Sequence, residues 1–243
     1  MRLLVTRPEP EATRTAERLR ALGHEPVLAP LLETVFLAPP PPGFRPAAIL
    51  LTSGNGLRGL LRWPNFRAWL DIPVLAVGDR TAAAAREAGF RDVRSADGDG
   101  EALASLAIAT LDPAAGTLLY PAAVDRAGLW PDKLTATGFT ISLVETYRMD
   151  PVAALPDPVA DDLHQGRLDG VLLYSPRTAK TFVGLVARLD PQPPLDHLSI
   201  YALSANVASV LTFGSVLIAD EPTDDALLAR IPPGMGTSPS GVR

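Results

Sequence analysis

Residues 47–61 read AAILLTSGNGLRGLL, and residues 169–186 read DGVLLYSPRTAKTFVGLV. Each segment begins with a short apolar run, turns at a serine, and continues in a pattern of helical period. Ser53 of the first segment aligns with Ser175 of the second. Short apolar runs bounded by turns are typical of parallel strands that are buried on both faces. The two segments therefore predict the same strand, turn and helix unit twice.

The similarity extends along most of the chain in the same order. The segment LLVTRPEP, from Leu3, matches LLYPAAVD, from Leu118. The segment PVLAVGDRTAAAAREAGF, from Pro73, matches LSIYALSANVASVLTFGS, from Leu198. Strands that alternate with helices build α/β domains around parallel sheets. We therefore predict two copies of one α/β module, produced by an internal duplication.

Glycines mark the predicted helix ends in both copies. Apolar residues at helical spacing follow Pro10 and lie on one face, namely Ala12, Ala16, Leu19 and Leu22. Gly23 is placed to end this helix in the left-handed conformation. The same order of helix, glycine, two residues and strand recurs at Gly89, Gly138 and Gly214.

Two extended segments suggest how the modules are connected. Residues 31–37 precede the polyproline run at 39–42, and residues 143–149 precede Asp150-Pro151. If these segments pair as a two-stranded connection, the chain enters one domain, crosses to a second and returns. The tail from Pro232 is rich in Pro, Gly and Ser, a composition that predicts disorder.

Composition excludes several classes of protein. The chain has 243 residues and a net charge of -5, so it lacks the basic footprint of a protein that binds nucleic acid or an anionic membrane surface. It has no cysteine, which excludes disulfides, thiolate nucleophiles and iron–sulfur clusters, and its three histidines show no metal-ligand spacing. The apolar run near Met1 is too short for a signal peptide, so a cytoplasmic location is expected. Residues 198–219 carry no charge, but the aligned copy does, so we expect no membrane span.

One loop matches the dinucleotide-binding fingerprint. Gly54, Gly56 and Gly59 satisfy G-x-G-x-x-G after a predicted strand, and Asp79 lies 20 residues further on. The fingerprint normally occupies the first strand–helix unit, and the duplicated copy after Ser175 lacks every one of these glycines. Nucleotide binding is therefore the weaker interpretation.

The loops after the predicted strands favour anion binding instead. Backbone N–H groups at helix N-termini, with nearby hydroxyl, amide and guanidinium groups, bind carboxylate or phosphate. For any one loop, ordinary helix capping is the stronger explanation, but the loops meet at the carboxyl edge of their sheets, and together they favour anion binding. The candidate binding residues are Thr6, Arg7, Thr52, Ser53, Gly54, Asn55, Gly78, Arg80, Thr81, Arg126, Ser175, Arg177, Thr178, Ser204 and Asn206.

Tyr147 is the candidate catalytic residue. It ends the second extended segment, just before Asp150-Pro151, and a neutral phenol can donate a proton or a hydrogen bond at neutral pH. An aromatic side chain that simply packs at a strand end is the equally weighted alternative.

In their order and spacing, these segments resemble the uroporphyrinogen-III synthase family of tetrapyrrole biosynthesis. The resemblance extends from Met1 to about Ile231. It is carried by LLVTRPEPEA, LGHEPVLAPLLE, TSGNGLR, PVLAVGDRTAAAAREAGF, VETYR, LLYSPRTAKTF and ALSANVA, followed by Pro222, Ala226 and Leu227.

The resemblance implies two flavodoxin-like α/β domains with parallel sheets, joined by a two-stranded β-ladder. Domain 1 would comprise residues 1–32 and 151–243, and domain 2 residues 38–142. The linker strands would be residues 33–37 and 143–150. A monomer is also implied.

The implied activity is that of a cyclising hydro-lyase. The substrate would be hydroxymethylbilane, a linear tetrapyrrole that carries eight carboxylates, held in a cleft largely by backbone N–H groups. Loss of its terminal hydroxyl as water would close the macrocycle, and ring D would invert through a spiro intermediate, giving uroporphyrinogen III. No cofactor and no metal are implied. Tyr147 matches the family's proposed proton donor to the leaving hydroxyl.

Two other interpretations remain open at this point. One is a non-enzymatic protein that binds a tetrapyrrole or another polycarboxylate in the same cleft. The other is a dinucleotide-dependent oxidoreductase that uses Gly54, Gly56 and Gly59.

Overall fold

The computed structural model describes residues 1–126 and 128–233. The strands are β1 Arg2–Val5, β2 Glu25–Leu28, β3 Leu32–Phe36, β4 Ala48–Leu51, β5 Val74–Ala76, β6 Val93–Ser95, β7 Leu118–Ala123, β8 Ile141–Pro151, β9 Gly170–Leu173, β10 Ser199–Ala202 and β11 Ser215–Ile218. The α-helices are α1 Glu11–Ala21, α2 Gly54–Leu60, α3 Asp79–Glu87, α4 Gly100–Thr110, α5 Trp130–Ala136, α6 Asp157–His164, α7 Pro176–Val186, α8 Ala205–Ala208 and α9 Asp224–Ala229. Strand and helix alternate along most of the chain, so the predicted α/β fold class is confirmed.

The chain divides into two compact units. Unit 1 comprises Met1–Glu33 and Asp150–Arg243, and unit 2 comprises Thr34–Met149. The predicted disorder of the tail falls mostly on residues 234–243, which lie outside the described residues.

Unit 1 is built on a parallel five-stranded sheet in the order β11-β10-β9-β1-β2. The central strand β9 is buried along its whole length. Helices α6 and α7 cover one face, where Phe182 is fully buried, and α1 and α9 cover the other face with Leu19 and Leu227. Coverage on both faces explains why its central strands read as short apolar runs.

Unit 2 is built on a mixed six-stranded sheet in the order β3-β8-β7-β4-β5-β6. The strands from β8 to β6 are parallel to their neighbours. The N–H of Leu37 donates to the carbonyl of Thr146 at 2.9 Å, and the N–H of Val152 donates to that of Leu31 at 3.1 Å. Because one residue number rises as the other falls, β3 and β8 run antiparallel. Helices α2 and α3 cover one face of the sheet, and α4 and α5 cover the other.

The second extended segment differs from its predicted role as a linker strand. Strand β8 begins at Ile141, and it pairs with β7 as far as Tyr147. Residues 143–147 of this segment therefore belong to an interior strand of the unit 2 sheet, with β3 on its other side. Its backbone hydrogen-bonds to strands on both sides, which the sequence pattern alone did not indicate.

The predicted helix ends are confirmed at Gly23, Gly89 and Gly138, but not at Gly214, because α8 ends at Ala208 and β11 begins at Ser215, directly after that glycine. Gly23 has a φ of 80°, a left-handed conformation that side chains with a Cβ rarely adopt. The three later glycines share a positive φ: Gly89, Gly138 and Gly214. Leu22 lies at the end of α1 and is 48% exposed, so it does not belong to the buried face that its spacing predicted. Among the described residues, no helix combines the length and apolarity needed to cross a bilayer.

Helix α2 lies unusually close to β7 and β8. A Cβ added at Gly56 would lie 2.6 Å from the carbonyl oxygen of Pro121. A Cβ added at Gly59 would lie 2.5 Å from the Cβ of Thr146. Both glycines are therefore required by the close approach of the helix to the sheet.

A buried carboxylate connects three segments of unit 1. Asp162 on α6 is 2% exposed, and its carboxylate accepts hydrogen bonds from Arg2 Nε at 3.0 Å and Arg167 Nε at 2.7 Å. Burial by itself raises the pKa of Asp162, but the hydrogen bonds from Arg2 and Arg167 outweigh it and lower the pKa below the ordinary value. The charged form of Asp162 therefore stabilises the fold.

We predict that Gly59→Ala destabilises unit 2. The added methyl group overlaps Thr146, and overpacking of this kind costs about 1–3 kcal/mol. Gly54→Ala, in the first turn of the same helix, is the matched control, because a Cβ there meets no atom within 4 Å. Thermal and urea unfolding measure both variants. Equal stability of the two variants would contradict the close packing.

We also predict that Asp162→Asn destabilises unit 1 near neutral pH by about 2–3 kcal/mol, since hydrogen bonds to charged groups contribute about 1.5–3 kcal/mol. Because the folded pKa is lowered, this contribution is complete above the unfolded pKa of Asp and is lost as pH falls through the folded pKa. The difference between wild type and variant should therefore shrink in acid. Asp161→Asn, at an exposed neighbouring position on α6, is the control for urea unfolding at several pH values.

Candidate functional site

Tyr147 and Ser53 form a pair of hydroxyl groups in unit 2. Tyr147 lies on β8, and Ser53 immediately precedes α2. Their hydroxyl oxygens are 2.9 Å apart, and the Tyr147 residue is 8% exposed. The Ser53 Oγ also caps α2, because it accepts the backbone N–H of Gly56 at 3.1 Å. The capping hydrogen bond therefore fixes the position of the Ser53 hydroxyl, and the contact with Ser53 fixes that of the Tyr147 hydroxyl.

A second pair of hydroxyl groups lies beside the first. Tyr120 on β7 and Thr52 at the end of β4 bring their hydroxyl oxygens to 3.2 Å. Tyr120 is 3% exposed, and its ring contacts Trp130 edge-on with ring centroids 4.8 Å apart. Burial raises the pKa of Tyr120, and the hydrogen bond with Thr52 offsets this only in part. Tyr120 is therefore a neutral phenol at ordinary pH.

A cavity of about 520 Å³ in unit 2 is lined by all four of these residues. The charged members of its lining are Asp99, Glu101, Asp125 and Arg126. Arg126 donates to the carboxylate of Glu145 at 2.9 Å, so its charge is already paired. Glu101 is likewise paired, with Lys133 at 3.3 Å, and Asp99 caps α4, so lining residues of both signs of charge have structural partners.

Other predicted residues of unit 2 lie outside this lining. Asn55 donates to the Thr34 hydroxyl at 3.4 Å. Gly78 caps α3 without a side chain, Arg80 is exposed in the first turn of that helix, and Thr81 is buried there. Gly54 begins α2, with open space where a side chain would be.

In unit 1 the structure corrects the expectation for Thr6. Thr6 is fully buried, and its hydroxyl donates to the carbonyl of Leu172 at 2.6 Å, which leaves the hydroxyl inside the sheet rather than at a binding surface. Arg7 donates to Asp224 at 2.7 Å, and its guanidinium carbon lies 4.1 Å from the centroid of the Tyr174 ring. Arg7 therefore has structural partners within its own unit.

Serine caps are also present in unit 1. The Ser175 Oγ accepts the N–H of Thr178 at 3.1 Å, and Thr178 is buried. Ser204 caps α8 in the same way, and Asn206 is exposed on that helix. These hydroxyls all perform the ordinary capping role.

A shallower cavity of about 380 Å³ lies along α7. Arg177 lines it together with Lys180 and Arg188, and its lining among the described residues includes no acidic side chain. This surface of unit 1 is therefore positively charged.

The glycines of the dinucleotide fingerprint have a structural explanation. In that fingerprint, the second glycine lets a pyrophosphate approach the backbone. Here the space beside Gly56 is occupied by the carbonyl of Pro121, and Gly59 packs on Thr146. Asp79 begins α3 and is exposed. Close packing of α2 on the sheet thus accounts for the second and third glycines of the match.

Sequence reasoning found part of the cavity and missed part of it. It identified Thr52, Ser53, Arg126 and Tyr147, which the structure brings together. It missed Tyr120, which follows Leu118 and Leu119 in the segment that matches the first predicted strand of the chain. The rule that parallel strands end at one edge of a sheet does not identify Tyr120, because this residue lies within β7 and not at its end. Within residues 1–126 and 128–233, no group of three metal-ligating side chains is clustered.

Comparison with known proteins gives a consistent result. The family model described as uroporphyrinogen-III synthase HemD matches residues 13–229. A porphyrin biosynthesis protein HemD from Ruminiclostridium josui is 24% identical over an alignment 246 residues long, which covers 95% of this chain and 48% of that protein. The chain thus spans about half the length of this curated relative.

Solved structures show the same fold. Uroporphyrinogen-III synthetase from Helicobacter pylori is similar with a TM-score of 0.60 and 17% identity, over 94% of this chain and 97% of that chain. A mutant uroporphyrinogen III synthase from the extremely thermophilic bacterium Thermus thermophilus has a TM-score of 0.50 and 18% identity, over 94% and 96% of the two chains. The family match covers most of the described residues, and the chain belongs to the uroporphyrinogen-III synthase family.

Proposed function

We propose that this chain catalyses the dehydrating cyclisation of hydroxymethylbilane to uroporphyrinogen III, with inversion of ring D through a spiro intermediate. The observation that carries the proposal is the pair formed by Tyr147 and Ser53, with hydroxyl oxygens 2.9 Å apart at the cavity of unit 2, in a chain of this family. The proposal includes a monomeric cytoplasmic enzyme that needs no cofactor.

The first chemical step requires a proton donor to the leaving hydroxyl. Ser53 already accepts the N–H of Gly56, and it has one hydroxyl proton of its own. When Ser53 donates that proton to Tyr147, the phenol proton of Tyr147 is free to point into the cavity. The substrate C–O bond then breaks, and the hydroxyl leaves as water with the proton from Tyr147. General acid assistance of this kind contributes about 10²–10⁴-fold in rate.

The second requirement is to position the substrate. The free bilane closes without an enzyme to the uninverted type I isomer, so the protein must hold ring D where its substituted carbon reacts. We propose that carboxylates of the substrate bind the first-turn N–H groups and polar side chains at the loops that contain Gly54, Asn55, Gly78, Arg80, Thr81, Arg126, Arg177, Ser204 and Asn206. Helix N-termini favour carboxylates in this way, which lets a protein with a net charge of -5 bind a polyanion.

The direct test is isomer analysis. Purified protein is added to freshly generated hydroxymethylbilane, the products are oxidised, and the uroporphyrin isomers are separated by chromatography beside a sample without protein. The proposal predicts an excess of type III over the type I found in the control. Only type I, from folded protein, would contradict it. Saturable binding of the bilane without type III would indicate a binding protein, and saturable NAD binding an oxidoreductase.

We predict that Tyr147→Phe slows the formation of type III by about 100-fold, the lower end of the effect of a general acid. The variant retains the ring and loses only the hydroxyl, so the melting temperature should change little. Tyr201→Phe is the control, because Tyr201 is another buried tyrosine, on β10 of unit 1. The initial rate of type III formation distinguishes the variants, and an unchanged rate in Tyr147→Phe would remove Tyr147 from the mechanism.

A further inference from the structure

Two tyrosines of unit 2 are paired with two consecutive residues. Thr52 contacts Tyr120 and Ser53 contacts Tyr147, with oxygen–oxygen distances of 3.2 and 2.9 Å. All four residues line the same cavity. Only the second pair is assigned a role in the proposed reaction.

Packing restrains the side chain of Tyr120. Its ring contacts Trp130, and Trp130 in turn lies so close to Gly100 that an added Cβ would be 2.3 Å from the indole Cδ1. The ring therefore has little freedom to move, and its hydroxyl is fixed at Thr52. Because burial raises its pKa, the phenol also keeps its proton.

In a hydrogen-bonded pair of hydroxyls, one proton lies between the two oxygens and the other does not. One oxygen donates to the other, and the remaining O–H can donate elsewhere. Tyr120 is 3% exposed, whereas Thr52 is only half-buried, so Thr52 is the member whose hydroxyl reaches the cavity. Tyr120 then donates to Thr52, and Thr52 directs its own proton outward.

The neighbouring pair of hydroxyls indicates what this donor contacts. Thr52 and Ser53 are consecutive residues of the same cavity lining, and Ser53 contacts Tyr147, the proposed proton donor to the leaving hydroxyl. A proton that Thr52 directs into the cavity is therefore beside the place that the proposed function gives to that hydroxyl of the linear tetrapyrrole. We propose that Tyr120 is a positioning residue that orients Thr52 as a second hydrogen-bond donor to that hydroxyl. The inference rests on the proposed function.

The test compares single and double variants by steady-state kinetics, which give kcat and KM separately, and by single-turnover experiments, which give the rate of the chemical step. Tyr120→Phe and Thr52→Val should each slow type III formation about tenfold, the effect of one lost neutral hydrogen bond, with KM changed less than about threefold. Because the two residues act as one unit, the double variant should be no more than about tenfold slower than wild type. Thr52→Ser, which keeps the hydroxyl, should restore most of the rate. Tyr201→Phe again serves as the control.

Several results would overturn this inference without affecting the proposed function. If wild type forms type III while Tyr120→Phe reacts at the wild-type rate, Tyr120 has no role in positioning. Effects that multiply to about a hundredfold in the double variant would show that Tyr120 and Thr52 act independently. Circular dichroism establishes that each variant is folded. If Tyr120→Phe fails to fold, the two Thr52 variants provide the test. The inference requires Thr52→Ser to react about tenfold faster than Thr52→Val, and equal rates would overturn it.

Discussion

The close approach of α2 to β7 and β8 is the constraint on which the candidate site depends. Gly56 lies against the carbonyl of Pro121, and Gly59 lies against Thr146, the residue before Tyr147. Only with both side chains absent can the start of α2 come near enough for Ser53 to reach the Tyr147 hydroxyl at 2.9 Å. The packing that stabilises this layer of unit 2 and the geometry that serves the proposed chemistry are therefore one arrangement.

Unit 2 contains this arrangement and unit 1 does not, although each has a serine that caps a helix. Ser53 and Ser175 occupy equivalent positions, and each accepts an N–H from the first turn of its helix. The second hydroxyl contact of Ser175 is with Thr178, three residues along its own helix, at 2.8 Å. The second hydroxyl contact of Ser53 is with the phenol of Tyr147, which lies on a strand distant in sequence. Both units have the capping serine, and only unit 2 has the contact between that serine and a phenol.

Local patterns in the sequence predicted much of the fold, because they depend on neighbouring residues. Apolar runs marked the buried strands, and Gly23 marked the end of α1. The contacts that were missed join residues far apart in the chain. Thr6 is buried because its hydroxyl bonds to Leu172, and Arg7 pairs with Asp224. No local pattern indicates such partners, and for the same reason Tyr120 was not identified as a member of the site.

The central claim is that close packing of α2 sets the hydroxyl geometry of the site. Its most direct test is the rate of type III formation per folded molecule of Gly59→Ala, measured where the variant remains folded. Gly43→Ala is the control, since a Cβ there meets no atom within 4 Å and Gly43 lies outside the cavity lining. The account predicts a rate at least about tenfold below that of wild type, as expected when a catalytic contact is displaced. A wild-type rate per folded molecule would contradict it.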